Sequence, residues 1–205
     1  IYISNIMFKD IKEIRNHDTK YYVELQKAIT FFKNKLNANN NNIRAAKNWK
    51  AYPVLQNSED YIFLKPFIDI IINEVEKNLQ KKIVKLTKIV FVKTTKSLTE
   101  VNDGAFRWHW DNGPLNIIDA LVYLNDVNED CGEFEYLTTS KGEPDMNVYS
   151  KGSGGKYNVN LKNKKINKFL GKKGDYIIFQ NNISHRATTP FKQDRYRFSL
   201  QLELC

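Results

Sequence analysis

Hydrophobic positions along this chain change their period once. In residues 20–36, Tyr22, Leu25, Ile29, Phe32 and Leu36 recur at spacings of three and four. That stripe predicts an amphipathic helix packed on one side. The asparagine-rich run 37–42 ends it and reads as a loop. Residues 43–60 show no period and read as irregular. A second helix is predicted over 66–82, with Phe67, Ile70, Ile71, Val75 and Leu79 on one side and Pro66 in its first turn. From residue 83 the pattern becomes β-branched and alternating. Strands are predicted over 83–94, 105–110, 117–124, 133–137, 176–179 and 197–204, with a further one at 157–161. Asn112-Gly113-Pro114 reads as a turn, and Ile3, Ile6 and Phe8 suggest a short N-terminal strand or arm.

Two helices followed by about eight short strands is an α+β order. Eight antiparallel strands closed by two Greek keys make a jelly roll, a cupin-like double-stranded β-helix barrel. We expect one domain over 1–205, with 1–82 as helical support and 83–205 as the barrel. Residues 138–173, with a glycine cluster at 152–155, form a polar insertion, read equally as a lid or binding loop and as a surface excursion.

Composition narrows the classes. Hydrophobic residues make up 41% and aromatics 13%, which excludes a disordered chain. No apolar run is long enough to cross a bilayer, and no signal peptide is visible. The first residue is not Met, so an earlier segment can precede it. Two cysteines, Cys131 and Cys205, make no disulfide framework, and a reducing, cytoplasmic setting is expected. The net charge is +9, but its lysines are scattered among asparagines, so a solvated surface is expected before a nucleic-acid partner.

The candidate chemistry lies in FRWHWD, residues 106–111. On a strand, His109 and Asp111 project to the same face. Of the three histidines, His17 beside Asp18 reads as a surface or turn residue, whereas His185 follows a predicted strand. Two imidazoles and one carboxylate on one face of an octahedral ion leave three positions open, the facial arrangement of non-haem Fe(II) oxygenases. The competing reading is a solvated His-x-Asp pair. On the last strand Arg195, Arg197, Ser199 and Gln201 share one face, and Phe198, Leu200 and Leu202 the other. An arginine so placed needs an anion, either a structural carboxylate or that of a ligand.

The blocks HWD at 109–111, ALVYLNDV at 120–127, GEFEYL at 132–137, GDYIIFQNNISHRA at 174–187 and RYRFSLQ at 195–201 cover about half the chain. In this order they resemble the Fe(II)/2-oxoglutarate-dependent oxygenases, in the style of the phytanoyl-CoA-hydroxylase-like and prolyl-hydroxylase-like branches. The resemblance implies that His109, Asp111 and His185 bind Fe(II). It implies that Arg197 holds the distal carboxylate of 2-oxoglutarate, with Arg195 as rival, and Tyr123 and, more weakly, Thr188 as helpers. It further implies use of O2 and release of succinate and CO2. Halogenating members lack the carboxylate ligand; Asp111 therefore implies hydroxylation, desaturation or a related oxidation. Trp108 and Trp110 read as packing residues. Arg107, Asn116 and Arg186 flank the presumed pocket mouth, where they would suit an anionic small molecule if they are not plain surface charge. A small-molecule substrate is expected first. The alternatives are a peptide or protein hydroxylase and a cupin-like metal-binding protein without turnover. A nucleic-acid substrate is disfavoured, because RYRFSL lacks the spaced arginines of nucleic-acid demethylases.

Overall fold

The computed structural model describes residues 11–15, 17–38, 42–101, 104–111, 116–146 and 159–204. The N-terminal arm, the 112–114 turn and the 152–155 glycine cluster lie outside them. The elements run β1 (Lys12–Ile14), α1 (Thr19–Asn37), β2 (Arg44–Ala46), β3 (Trp49–Pro53), α2 (Glu59–Leu79) and β4 (Ile83–Thr94). A 3-10 turn (Gly104–Phe106) follows, then β5 (Ile117–Tyr123), β6 (Phe134–Thr139), β7 (Lys164–Phe169), β8 (Tyr176–Gln180), β9 (His185–Ala187) and β10 (Arg195–Leu204).

Seven strands form one sheet in the order β1-β8-β5-β10-β4-β3-β2, and three form a second, β7-β6-β9. The strand pairs are antiparallel. The architecture is an α+β double-stranded β-helix. Alternation along β10 divides the core in two. Phe198, Leu200, Leu202 and Leu204 face the helices and pack with Tyr21, Leu25, Phe32, Phe67 and Ile71. The other face turns into the barrel, where Leu121, Phe134, Phe169, Ile177 and Phe179 form a second cluster. Each fully buried side chain of this size contributes roughly 2 kcal/mol by leaving water.

Several elements differ from expectation, each for a local reason. Helix α1 is capped by Asp18, whose Oδ1 accepts from Tyr21 N at 2.7 Å. The cap rotates the buried stripe to Tyr21, Leu25, Ala28, Ile29 and Phe32 and leaves Tyr22 exposed. Helix α2 begins before Pro66, at Glu59, because Ser58 accepts from Tyr61 N and two acidic residues occupy the first turn. Residues 43–60 supply β2 and β3, which extend the sheet from β4 (β3 on β4, and β2 on β3 at the edge) and are defined by this pairing rather than by apolar period. Of the expected strand at 157–161, residues 157–158 lie outside the described residues and 159–161 are not strand; the strand described in the insertion is β7, whose polar sequence KKINKF is ordered by its ladder to β6.

His17, expected at the surface or in a turn, is half-buried. Its ring stacks on Tyr21 at 4.0 Å and on Tyr176 at 5.3 Å. The turn into β8 lies close against α1 because residue 174 is glycine. A Cβ there would sit 3.0 Å from Leu25 Cδ2, at a φ of +100°. Among the described residues no helix is long and apolar enough to cross a membrane.

Candidate metal centre

The segment 107–111 is not a strand. After the 3-10 turn it touches the barrel through one antiparallel bridge, His109 to His185. His109 N donates to His185 O at 3.0 Å, and His185 N donates to His109 O at 2.8 Å. Asp111 N donates to Asn181 O at 2.8 Å. Three backbone bonds thus hold the His-x-Asp segment against the stretch that carries His185.

These bonds bring three ligand atoms together. Asp111 Oδ1 lies 3.9 Å from His109 Nε2, and its Oδ2 lies 3.9 Å from His185 Nε2. All three ligand atoms fall within 4.8 Å of one another. His109 Nδ1 is 2.7 Å from Arg107 O, and His185 Nδ1 is 2.8 Å from Ile183 O. A carbonyl only accepts, so both Nδ1 atoms carry the proton and both Nε2 lone pairs face Asp111. Two imidazole lone pairs and a carboxylate, converging with no donor between them, fit a divalent cation. Burial, and then His109, push the His185 imidazole down to about 4, which keeps it in the neutral, metal-binding form. Phe134 and Phe179 pack on its ring at 5.3 and 5.2 Å.

Arg186 and Trp108 join the same two segments from outside. The Arg186 guanidinium lies 4.8 Å from the Trp108 ring centroid, and its Nε donates to Glu135 Oε2 at 2.7 Å. Arg186, read from sequence as surface charge or an anion contact, is therefore paired with Glu135. Asn116 donates to Glu203 Oε1 and Leu204 O, while Arg107 is exposed.

The triad opens into a cavity of about 220 Å³. Its apolar walls include Val90, Leu121, Phe134 and Phe179, and its polar lining includes Arg197, Ser199, Gln201, Asp119 and Lys88. Arg197 Nε is buried and lacks a hydrogen-bond partner. Burial lowers the Arg197 guanidinium from its ordinary range. Arg195 is placed differently. It is fully buried away from the lining, donates to Thr94 Oγ1 at 3.2 Å, and is pushed down to about 10 by burial and then by Arg197.

Tyr123 and Thr188 also sit outside the lining. Tyr123 is the cross-strand partner of Arg197, but its hydroxyl donates to Phe169 O at 2.8 Å and accepts from Phe134 N at 2.9 Å. Thr188 Oγ1 is 3.0 Å from Glu133 O and 3.1 Å from Glu133 Oε2. The structure thus brings His109, Asp111, His185 and Arg197 to one pocket, whereas Arg195, Tyr123 and Thr188 are not among the residues that line it.

Sequence reading missed Asp119 and Lys88. The available signal was parity. Asp119 interrupts the apolar run IIDALVY on the same face as Leu121 and Tyr123. Burial, then Asp111, raise its carboxyl to about 7, and Asp119 Oδ2 has no hydrogen-bond partner. A wider cleft of about 650 Å³ on the outer faces of α1 and α2 contains no histidine, cysteine or carboxylate.

The sequence matches no protein-family model. It also matches no curated protein. Solved structures, in contrast, resemble the fold closely. AviO1 from Streptomyces viridochromogenes Tue57 has a TM-score of 0.66 at 10% identity, covering 97% of this chain and 91% of that one. HygX from Streptomyces hygroscopicus, with nickel, 2-oxoglutarate and hygromycin B bound, has a TM-score of 0.57 at 13% identity, covering 95% and 83%. A Trichoplax adhaerens prolyl hydroxylase, in complex with a hypoxia inducible factor oxygen degradation domain peptide fragment, has a TM-score of 0.56 at 17% identity, covering 96% and 84%. At these identities the likeness establishes the fold, a double-stranded β-helix shared with a protein solved with a metal and 2-oxoglutarate in place.

Proposed function

We propose that this protein is a single-domain, cytoplasmic Fe(II)- and 2-oxoglutarate-dependent oxygenase. It hydroxylates, or otherwise oxidises, an unactivated C–H bond of a small-molecule substrate and releases succinate and CO2. The observation that carries this reading is the convergence of His109 Nε2, His185 Nε2 and the Asp111 carboxylate at the wall of a pocket that also holds Arg197. HygX, which shares the fold, carries nickel and 2-oxoglutarate.

His109, Asp111 and His185 would hold the iron, with both imidazoles fixed by their Nδ1–H bonds to backbone carbonyls. Bound Fe(II), with O2 and 2-oxoglutarate, supplies oxidative decarboxylation coupled to removal of a hydrogen atom from the substrate. Arg197 is the residue for the distal carboxylate. It is a half-buried side chain whose buried Nε lacks a partner, and Ser199 lies two residues on along the same face. Leu121, Phe134 and Phe179 keep water from the reacting groups. The small cavity favours a small molecule over a peptide.

The test is anaerobic addition of Fe(II) and then 2-oxoglutarate, watching for the visible charge-transfer band of the chelate. The band should form in the native protein and be lost in Arg197→Ala. Metal binding without a band would leave a cupin-like metal-binding protein as the better reading. Succinate release on peptides but on no small molecule would move the substrate to the peptide class.

A further inference from the structure

Register places three polar side chains side by side on the pocket wall. Gln201 of β10 pairs with Lys88 of β4 on one side and with Asp119 of β5 on the other. All three line the cavity. The next row inward is Val90, Ser199 and Leu121, and the one beyond it is Val92, Arg197 and Tyr123. A fully polar row therefore separates the apolar wall from the mouth, where Lys88 is exposed.

Gln201 hydrogen-bonds the Asp119 carboxyl and Lys88 acts on it through its charge, yet one carboxyl oxygen is left over. Asp119 Oδ2 is buried and accepts no hydrogen bond, so Lys88 does not satisfy it. The carboxylate is not part of the metal cluster, whose converging atoms belong to His109, Asp111 and His185. In its ionised form it would repel a 2-oxoglutarate dianion, for which Arg197 lies deeper along the same strand. A buried carboxylate oxygen without a donor is costly unless a ligand supplies one. Two strands away, Lys88 offers the opposite charge to the same ligand. The cavity of about 220 Å³ is below the roughly 300–1,000 Å³ of drug-sized sites, and the co-substrate would fill part of it.

We propose that Asp119, Gln201 and Lys88 form the substrate subsite, and that it takes a small zwitterion of the amino-acid type. The ammonium group sits on Asp119, the carboxylate sits on Lys88, and the Gln201 amide lies between them. The proposal rests on the oxygenase reading. It names the substrate class for that pocket.

The experiment uses the native protein loaded anaerobically with Fe(II) and 2-oxoglutarate. The probes are the free L-amino acids, their carboxamides, which lack the carboxylate, and their N-acetyl forms, which lack the ammonium. Binding is read as a perturbation of the charge-transfer band and, separately, by calorimetry. At least one free amino acid should bind, and each blocked form of it should bind about tenfold more weakly or worse, the scale of one charged hydrogen bond. Asp119→Asn, which is isosteric, should weaken the free amino acid by a similar factor and leave the N-acetyl form unaffected. Lys88→Met should do the same and spare the carboxamide. If no band forms in the native protein, the oxygenase reading itself fails. If the band forms but no free amino acid perturbs it, or Asp119→Asn binds as tightly as the native protein, the zwitterion subsite is overturned and the oxygenase reading stands.

Discussion

Arg186 lies over the Trp108 ring at 4.8 Å, and each residue is the chain neighbour of a histidine of the candidate metal centre. The stack therefore spans the single backbone bridge that joins His109 to His185. Glu135 holds the guanidinium from the other side at 2.7 Å. An isolated bridge has little ladder support, so this outer contact sets how firmly the two imidazoles keep their spacing. Arg186→Ala should weaken Ni(II) binding by about tenfold, within the range for groups that orient metal ligands. Arg186→Lys should recover only part of the loss, because an ammonium neither stacks as a plane nor forks. Calorimetric titration of both variants with Ni(II) checks this. Native affinity in Arg186→Ala would reduce the stack to surface packing.

Metal binding should also be visible in stability. An ion that binds only the folded state, at one hundred times its Kd, adds about 2.7 kcal/mol. In a chain of this size that corresponds to roughly 5–10 °C in Tm. Ni(II) should raise the melting temperature of the native protein by that amount and that of His185→Ala hardly at all. An equal rise in both proteins would place the ion somewhere other than the His109, Asp111 and His185 cluster.

How much of this was readable beforehand depended on whether the signal was local. His109 and Asp111 lie two residues apart in the chain, and few histidines were available to join them, so the cluster could be anticipated without a fold. The face of β10 followed from strict alternation. The row of Lys88, Gln201 and Asp119 could not be read, because it exists only through the registers of β4 and β5 on β10. The same holds for β2, β3 and β7, which are ordered by partners and not by apolar period. His17 looked like a turn residue because Tyr176, which closes over it, comes from the far end of the chain.

Arg195 and Arg197 share a strand face and should separate cleanly in experiment. Arg197 lines the cavity, whereas Arg195 is buried against Thr94. Arg197→Ala should raise the Kd for 2-oxoglutarate on the order of 100-fold, the loss of a charge-assisted pair of hydrogen bonds. Arg195→Met should change that Kd little. It should also leave stability nearly unchanged or improved, because a buried arginine with few partners gains little over an apolar side chain of similar volume. Co-substrate titrations and melting curves of the two variants decide it. The reverse pattern, with loss in Arg195→Met and retention in Arg197→Ala, would reassign the carboxylate site.

His17 makes stability depend on pH. Its ring is held between Tyr21 and Tyr176, and its Nε2 is buried without a hydrogen-bond partner. Burial pushes the imidazole below its ordinary value, and the opposing pulls of Asp175, Glu74, the Gly174 backbone and Asp18 do not restore it. The folded state therefore holds His17 neutral at a pH where the unfolded chain already takes up a proton. The stability this provides is fully present above the unfolded value, near pH 6.5, and is lost as the pH falls below it. His17→Phe keeps a ring between the two tyrosines and removes the titration. Between pH 7 and pH 5.5 the native protein should lose more in Tm than His17→Phe. Both proteins keep His109 and His185, so those histidines cancel in the difference. Parallel melting curves over this window would show that His17 titrates as it does in the unfolded chain, and the tyrosine cage would then have no part in acid sensitivity.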